Sequence, residues 1–154
     1  MRAFVFRAQA ALDLRRTRDE AAQRDLAAAN AAVQRAEQEW LAAVAAWKDA
    51  NAQAVDEQRR GTGLATQMWY RNWIVRQQRV MASRRDTVAE RRRDADGARE
   101  RATKAHIDVR VLENLRERQW RAYTDEERRA EQKDMDWLAV LRSSQQAVNR
   151  KETG

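Results

Sequence analysis

His106 is the single histidine of a 154-residue chain that contains no cysteine. The side chains that most often serve as general bases, nucleophiles and soft metal ligands are thereby reduced to one. A lone imidazole can carry a proton near neutral pH, but a histidine-pair metal site and all thiolate or disulfide chemistry are excluded. The sequence holds no Gly-rich phosphate loop, nucleophile elbow or zinc-ligand cluster. Carboxylates are numerous, yet they alternate with arginine at helical spacing, which suits solvated ion pairs rather than a paired acid and base. His106 itself sits beside an apolar helical stripe, as an ordinary interhelical residue does. The chain reads as a non-enzyme, with no cofactor, no metal and no small-molecule substrate.

Two further clusters carry recognition chemistry. Arg84, Arg85, Arg91, Arg92, Arg93, Arg99 and Arg101 form a dense basic run able to grip phosphates. Asp86, Glu90, Asp94, Asp96 and Glu100 interrupt it, mostly within one helical turn, so it reads first as a solvated helix face and nucleic acid is not the expected partner. Trp69, Tyr70, Trp73 and Ile74 follow directly on a double glycine. They either cap the end of a helical hairpin or present aromatic anchors to a partner, as binding hot spots do.

The elements that must position these residues are helices. Charged residues make up 36%, mean hydropathy is −0.96, proline is absent and glycine occurs four times. Ala, Arg, Glu, Gln and Leu dominate, all strong helix formers. Six tryptophans and regularly recurring apolar positions argue against disorder, whose composition is poor in both. A net charge of +7 and a pI near 10.6 favour acidic surfaces as partners. No apolar run approaches the roughly 20 residues that span a bilayer, and MRAFVFRAQAALDLRR lacks the apolar core of a signal peptide. A cytoplasmic protein is expected.

A first helix is predicted from about Ala3 to about Gln58. From Ala22 through Leu26, Ala29, Val33, Ala36, Trp40, Ala43, Trp47 and Ala50 to Ala54, apolar residues alternate steps of four and three, which is a coiled-coil seam. Arg59 to Gly63, with two glycines in three residues, predicts the turn of a hairpin. A second helix follows from about Ala65 to about Gln145, with a frayed tail over 146–154. Its expected seam runs through Tyr70, Trp73, Gln77, Val80, Arg84, Val88, Arg91, Ala95, Ala98, Ala102, Ala105, Val109 and Leu112. Gly97 is a weak point within it.

The fold class expected is thus all-α: one long antiparallel two-helix coiled coil over 1–154, with an overhanging C-terminal helix. A turn centred on Thr62 places residue i opposite residue 124 − i, so Trp40 lies near Arg84, Val33 near Arg91, Leu12 near Leu112 and Phe4 near Trp120. At about 1.5 Å per residue the arms would measure roughly 80 and 120 Å. The second helix then overhangs beyond about Tyr123, leaving Met135, Trp137, Leu138 and Leu141 without an internal partner, which suggests a binding surface. Residues 1–58 carry eight basic and nine acidic side chains, and residues 61–154 carry 21 and 15, so the second arm is the basic one.

Three stretches resemble the flagellar export protein FliJ family and its virulence-secretion counterparts, the stalk proteins of type III secretion ATPases. Phe4-Val5-Phe6 with Leu12, Leu14, Arg15 and Arg16 is similar to the family's opening aromatic-leucine-basic pattern. Tyr70-Arg71-Asn72-Trp73-Ile74 is similar to its Tyr-x-x-aromatic-Ile segment. Glu131 to Ala139, EQKDMDWLA, is similar to its Gln-Lys-x-Met-Asp-x-x-Ala tail. The resemblance implies a fold similar to the paired terminal helices of a rotary ATPase γ subunit. It implies a non-catalytic accessory subunit, peripheral at the bacterial inner-membrane export apparatus. Its partners would be a hexameric export ATPase, the cytoplasmic part of the export gate membrane protein and export chaperones. Gate contact would fall on Tyr70, Trp73, Ile74, Gln77, Val80 and Arg84, where Gln77 replaces a usual leucine and Arg84 a usual histidine. The ATPase ring would meet Phe4, Phe6, Gln132, Lys133, Met135, Asp136, Trp137 and Leu138, where Trp137 replaces a usual acidic residue. From the residues alone, two other readings stay open: a basic helical nucleic-acid-binding protein, and a generic coiled-coil scaffold that pairs between chains.

Overall fold

A computed structural model describes residues 3–152, with side chains over 3–146. It contains two α-helices, α1 (Gln9–Arg59) and α2 (Leu64–Glu152), packed as a helical hairpin, with no strand among the described residues. The chain forms two compact units, Met1–Arg15 with Asp108–Gly154, and Arg16–Ile107. The frayed tail expected over 146–154 falls largely outside the described side chains; the α2 backbone is helical as far as Glu152.

Unit Arg16–Ile107 contains the turn. Helix α1 ends because its last carbonyls are taken by the chain folding back. The Thr62 amide donates to the Glu57 carbonyl at 3.3 Å and the Gly61 amide to the Gln58 carbonyl at 3.2 Å. This pair is the Schellman arrangement, which needs a left-handed residue at Gly61, and its φ is +72°. Helix α2 starts on the Gly63 carbonyl, which accepts from the Thr66 and Gln67 amides. The glycine-rich segment is thus the hairpin turn that the sequence predicts.

All ten seam positions read from α1, Ala22 to Ala54, are buried or half-buried, with Ala36, Ala43 and Ala50 fully buried. Opposite them Val88, Ala95, Ala98 and Ala102 are buried. The α2 seam differs from expectation near the turn. Val80 is exposed, and Met81, half-buried, takes its place, because the alternation of four and three runs Gln77, Met81, Arg84, Val88. Arg84 and Arg91 are exposed although they hold seam numbers, since a guanidinium swings out to solvent while its stem stays against the helix. Arg84 reaches Glu39 at 2.7 Å and Arg92 reaches Glu37 at 2.6 Å, both across the hairpin. His106 Nδ1 lies 3.2 Å from Asp19 Oδ2, also across it. The Arg84 and His106 pairs fall one residue from the expected register, which fixes the helices as antiparallel.

In the other unit, residues 3–6 are not helical and α1 starts at Gln9 rather than near Ala3. The reason is the period of the apolar residues. Phe4 and Phe6 are two apart, so a helix would send them to opposite faces, whereas extended chain puts both on one face and Val5 on the other. Val5 is exposed, while Phe6 is buried with Leu12 and Val109, and Phe4, Ala8, Leu112 and Leu115 pack against that cluster. Leu12 has no exposed surface at all. Phe4 meets Trp120 edge to face at 5.1 Å between ring centroids, the pair that the register predicts, and Tyr123 at 5.7 Å. Arg15 closes the unit on Asp108 at 3.1 Å.

Candidate protein-interaction surfaces

The first surface lies just after the turn, in unit Arg16–Ile107. Steps of four and three along α2 align Trp69, Trp73, Arg76 and Val80 on one stripe. Trp69 stacks on Trp73 at 5.8 Å with ring planes 8° apart and meets Tyr70 edge-on at 4.9 Å. The Arg76 guanidinium lies 5.9 Å from the Trp73 ring centre, within cation–π range. Trp69 and Val80 are exposed, and Trp73 is half-buried. The cluster therefore both closes the seam and displays aromatic surface.

The six residues expected to meet a gate do not share one face. Trp73 and Val80 belong to the aromatic stripe. Tyr70 and Ile74, half-buried, instead line a groove of about 490 Å³ on the opposite flank, together with Ala54 and Gln58 of α1. Gln77 is half-buried in the seam, and Arg84 is engaged by Glu39. Exposed Leu64, Met68 and Val75, also lining that groove, were missed by the sequence reading. Their signal was the steps of four and seven, interrupted by Arg71.

The second surface is the end of α2 in the other unit. Every residue from 131 to 146 is exposed, and Met135 and Trp137 keep 65% and 64% of their surface open. Leu138, Val140 and Leu141 join them. At 100° per residue these five spread over roughly 220° of the circumference, with the charged Glu131, Lys133, Asp134 and Arg142 interspersed among them. The polar neighbours turn inward on their own helix: Gln132 donates to Asp136 at 2.8 Å, and Ser143 and Ser144 donate to the Val140 and Leu141 carbonyls. Lys133 stays exposed. Phe4 lines a shallow groove of about 420 Å³ with Trp120 and Arg116. Phe6, also expected to meet the ring, is 7% exposed and packs on Leu12 and Val109.

The arginine run is partly neutralised by its surroundings. Arg84 and Arg92 bond Glu39 and Glu37, Arg91 lies 3.4 Å from Asp94, and Arg85 lies 3.4 Å from Asp86. Among the described residues, no group of three or more His, Asp and Glu is placed to hold a metal ion, and no helix is long and apolar enough to cross a membrane. The chemistry on offer is recognition through exposed aromatic, apolar and basic side chains.

The family model of the flagellar FliJ protein matches residues 6–148. No curated protein and no solved structure matches the chain.

Proposed function

This chain belongs to the flagellar FliJ protein family, non-catalytic components of the flagellar export apparatus, and from that premise we propose that it is the stalk of the export ATPase. The exposed end of α2, with Met135, Trp137 and Leu138, enters the opening of the hexameric ATPase ring. The aromatic flank after the turn, centred on Trp73 and Val80, meets the cytoplasmic part of the export gate, and export chaperones are further partners. The protein acts on the cytoplasmic side of the inner membrane and contributes no chemistry of its own.

The observation that carries this reading is the spread of large exposed apolar residues around the end of α2. A helix lying on a flat surface shows one apolar stripe of about 100°, whereas exposed apolar residues spread over roughly 220°, with charged residues between them, suit a partner that surrounds the helix. A ring does so. Gln132 and Asp136, bonded to one another, lie on the remaining side, and Lys133 projects between Val140 and Trp137. At the other surface Tyr70, Ile74 and Gln77 hold the aromatic stripe in place from the seam, while Arg84, tied to Glu39, flanks it.

Binding to the two partners separates the two surfaces. Trp73→Ala with Val80→Ser is expected to weaken binding to the purified cytoplasmic domain of the gate and leave ATPase binding intact. Met135→Ser, Trp137→Ser and Leu138→Ser together are expected to do the reverse. Equal loss of both partners from either variant would refute the assignment.

A further inference from the structure

Beyond both of these surfaces, we propose that the groove beside Leu64, Met68 and Val75 binds an acidic amphipathic helix of a partner protein as the third strand of a coiled coil. The proposal rests on a second periodic stripe along α2. Leu64, Met68, Val75, Ala82 and Ala89 are apolar, Arg71, Gln78 and Arg85 fall between them, and Arg92 and Arg99 follow. Taken in order, the steps alternate four and three from Leu64 to Ala89 and on to Arg92, which is the period of a coiled-coil face. This stripe is separate from the buried seam through Met81, Val88 and Ala95, and all of its members are exposed.

The groove marks where a third helix fits. Five consecutive members of the stripe, Leu64 through Gln78, line it from α2, and Ala54 and Gln58 line it from α1. Its volume of about 490 Å³ is that of a small-molecule cleft, yet it is open and walled by two helices. Leu64, Met68 and Val75 expose 74%, 56% and 40% of their surface there. Helix α1 continues the wall: Glu37, which receives Arg92, is spaced by sevens from Val44, Asn51 and Gln58. The adjoining row holds Leu41 and Val55, two more exposed apolar residues. The large apolar side chains in the groove thus come from α2, while α1 contributes Ala54 and Gln58.

Charge selects the occupant. Arg85, Arg92 and Arg99 recur every seven residues, about 10.5 Å apart along the helix, with Arg71 two heptads before Arg85, while the facing α1 row carries as its only acid Glu37, which Arg92 engages. Asp96 is the one acidic member of the α2 stripe as it continues to Arg99. A helix with carboxylates at heptad spacing beside an apolar seam answers both features, as flanking charges do in coiled-coil pairing. A planar anionic membrane does not, because the apolar residues line a concave groove. A second copy of this flank would bring arginine against arginine.

The test uses the full chain and a labelled synthetic peptide of about four heptads, with leucine in its seam and glutamate at the flanking positions. The wild-type protein is expected to bind it, and a peptide with lysine at the same positions is expected not to bind. Met68→Glu with Val75→Glu, and separately Arg85→Glu with Arg99→Glu, should each weaken binding about tenfold or more. Arg93→Glu with Arg101→Glu, equal in charge but outside the stripe, should leave it within about twofold. Thermal melting of each variant shows that it folds; all six sites are exposed. Absence of binding to the glutamate peptide overturns the proposal. So does equal weakening by the control pair, as does binding of phosphatidylglycerol vesicles or duplex DNA that needs the arginines but not Met68 and Val75.

Discussion

Replacing Gly61 with alanine tests the turn on which the hairpin depends. The φ of +72° lies where a side chain collides with its own backbone, a cost of about 1–2 kcal/mol for an L-residue. No other atom lies within 4 Å of the position that the new Cβ would take, so no external clash adds to this. Alanine also restricts the unfolded chain, which offsets part of the loss. The net expectation is about 1 kcal/mol, or roughly 2–4 °C in melting temperature for a chain of this size. Gly63 is the internal control. It has no positive φ and equally open space. The poorer capping by alanine and the reduced unfolded freedom oppose each other there, leaving a change within about 0.5 kcal/mol. Urea unfolding followed by helical circular dichroism measures both, and an unchanged m value keeps the comparison valid. If Gly61→Ala is as stable as wild type, or Gly63→Ala loses as much, the Schellman account of this turn is wrong.

Other outcomes follow from burial. Leu12→Ala should destabilise the unit formed by the chain's start and residues 108–154 by about 2–5 kcal/mol, whereas exposed Leu14→Ala should cost less than about 0.5; amide hydrogen exchange resolves the two. Gly97→Ala should stabilise by about 0.5–1 kcal/mol in a melting experiment. Its Cβ would meet only the flexible end of Arg101 at 3.4 Å, and Gly97 lies within the unbroken helix α2.

The hairpin was legible because two signals are strong: ten α1 positions at a mean step of 3.5, and two glycines in three residues. The register followed from them, and it placed Phe4 on Trp120. Residues 3–6 were misread as helix because Arg, Ala and Gln around them are helix formers. The deciding feature was a period of two over Phe4, Val5 and Phe6. Val80 was read in place of Met81 because polar Gln77 and Arg84 flank them, so the seam has no apolar neighbour to fix its phase. The exposed tail cluster was legible from the register alone. The Leu64–Met68–Val75 flank was not, since every second position of its stripe is arginine or glutamine, and only three-dimensional packing shows a groove beside them.

The central claim is that the end of α2 engages and activates an ATPase ring. The measurement is the ATP hydrolysis rate of the flagellar export ATPase titrated with this protein, with ring assembly followed by light scattering. The stalk reading predicts stimulation and hexamer formation, both lost with Met135→Ser, Trp137→Ser and Leu138→Ser, while helicity and melting temperature stay unchanged because these side chains are exposed. Unaltered hydrolysis and assembly in the presence of the folded wild-type protein would contradict it.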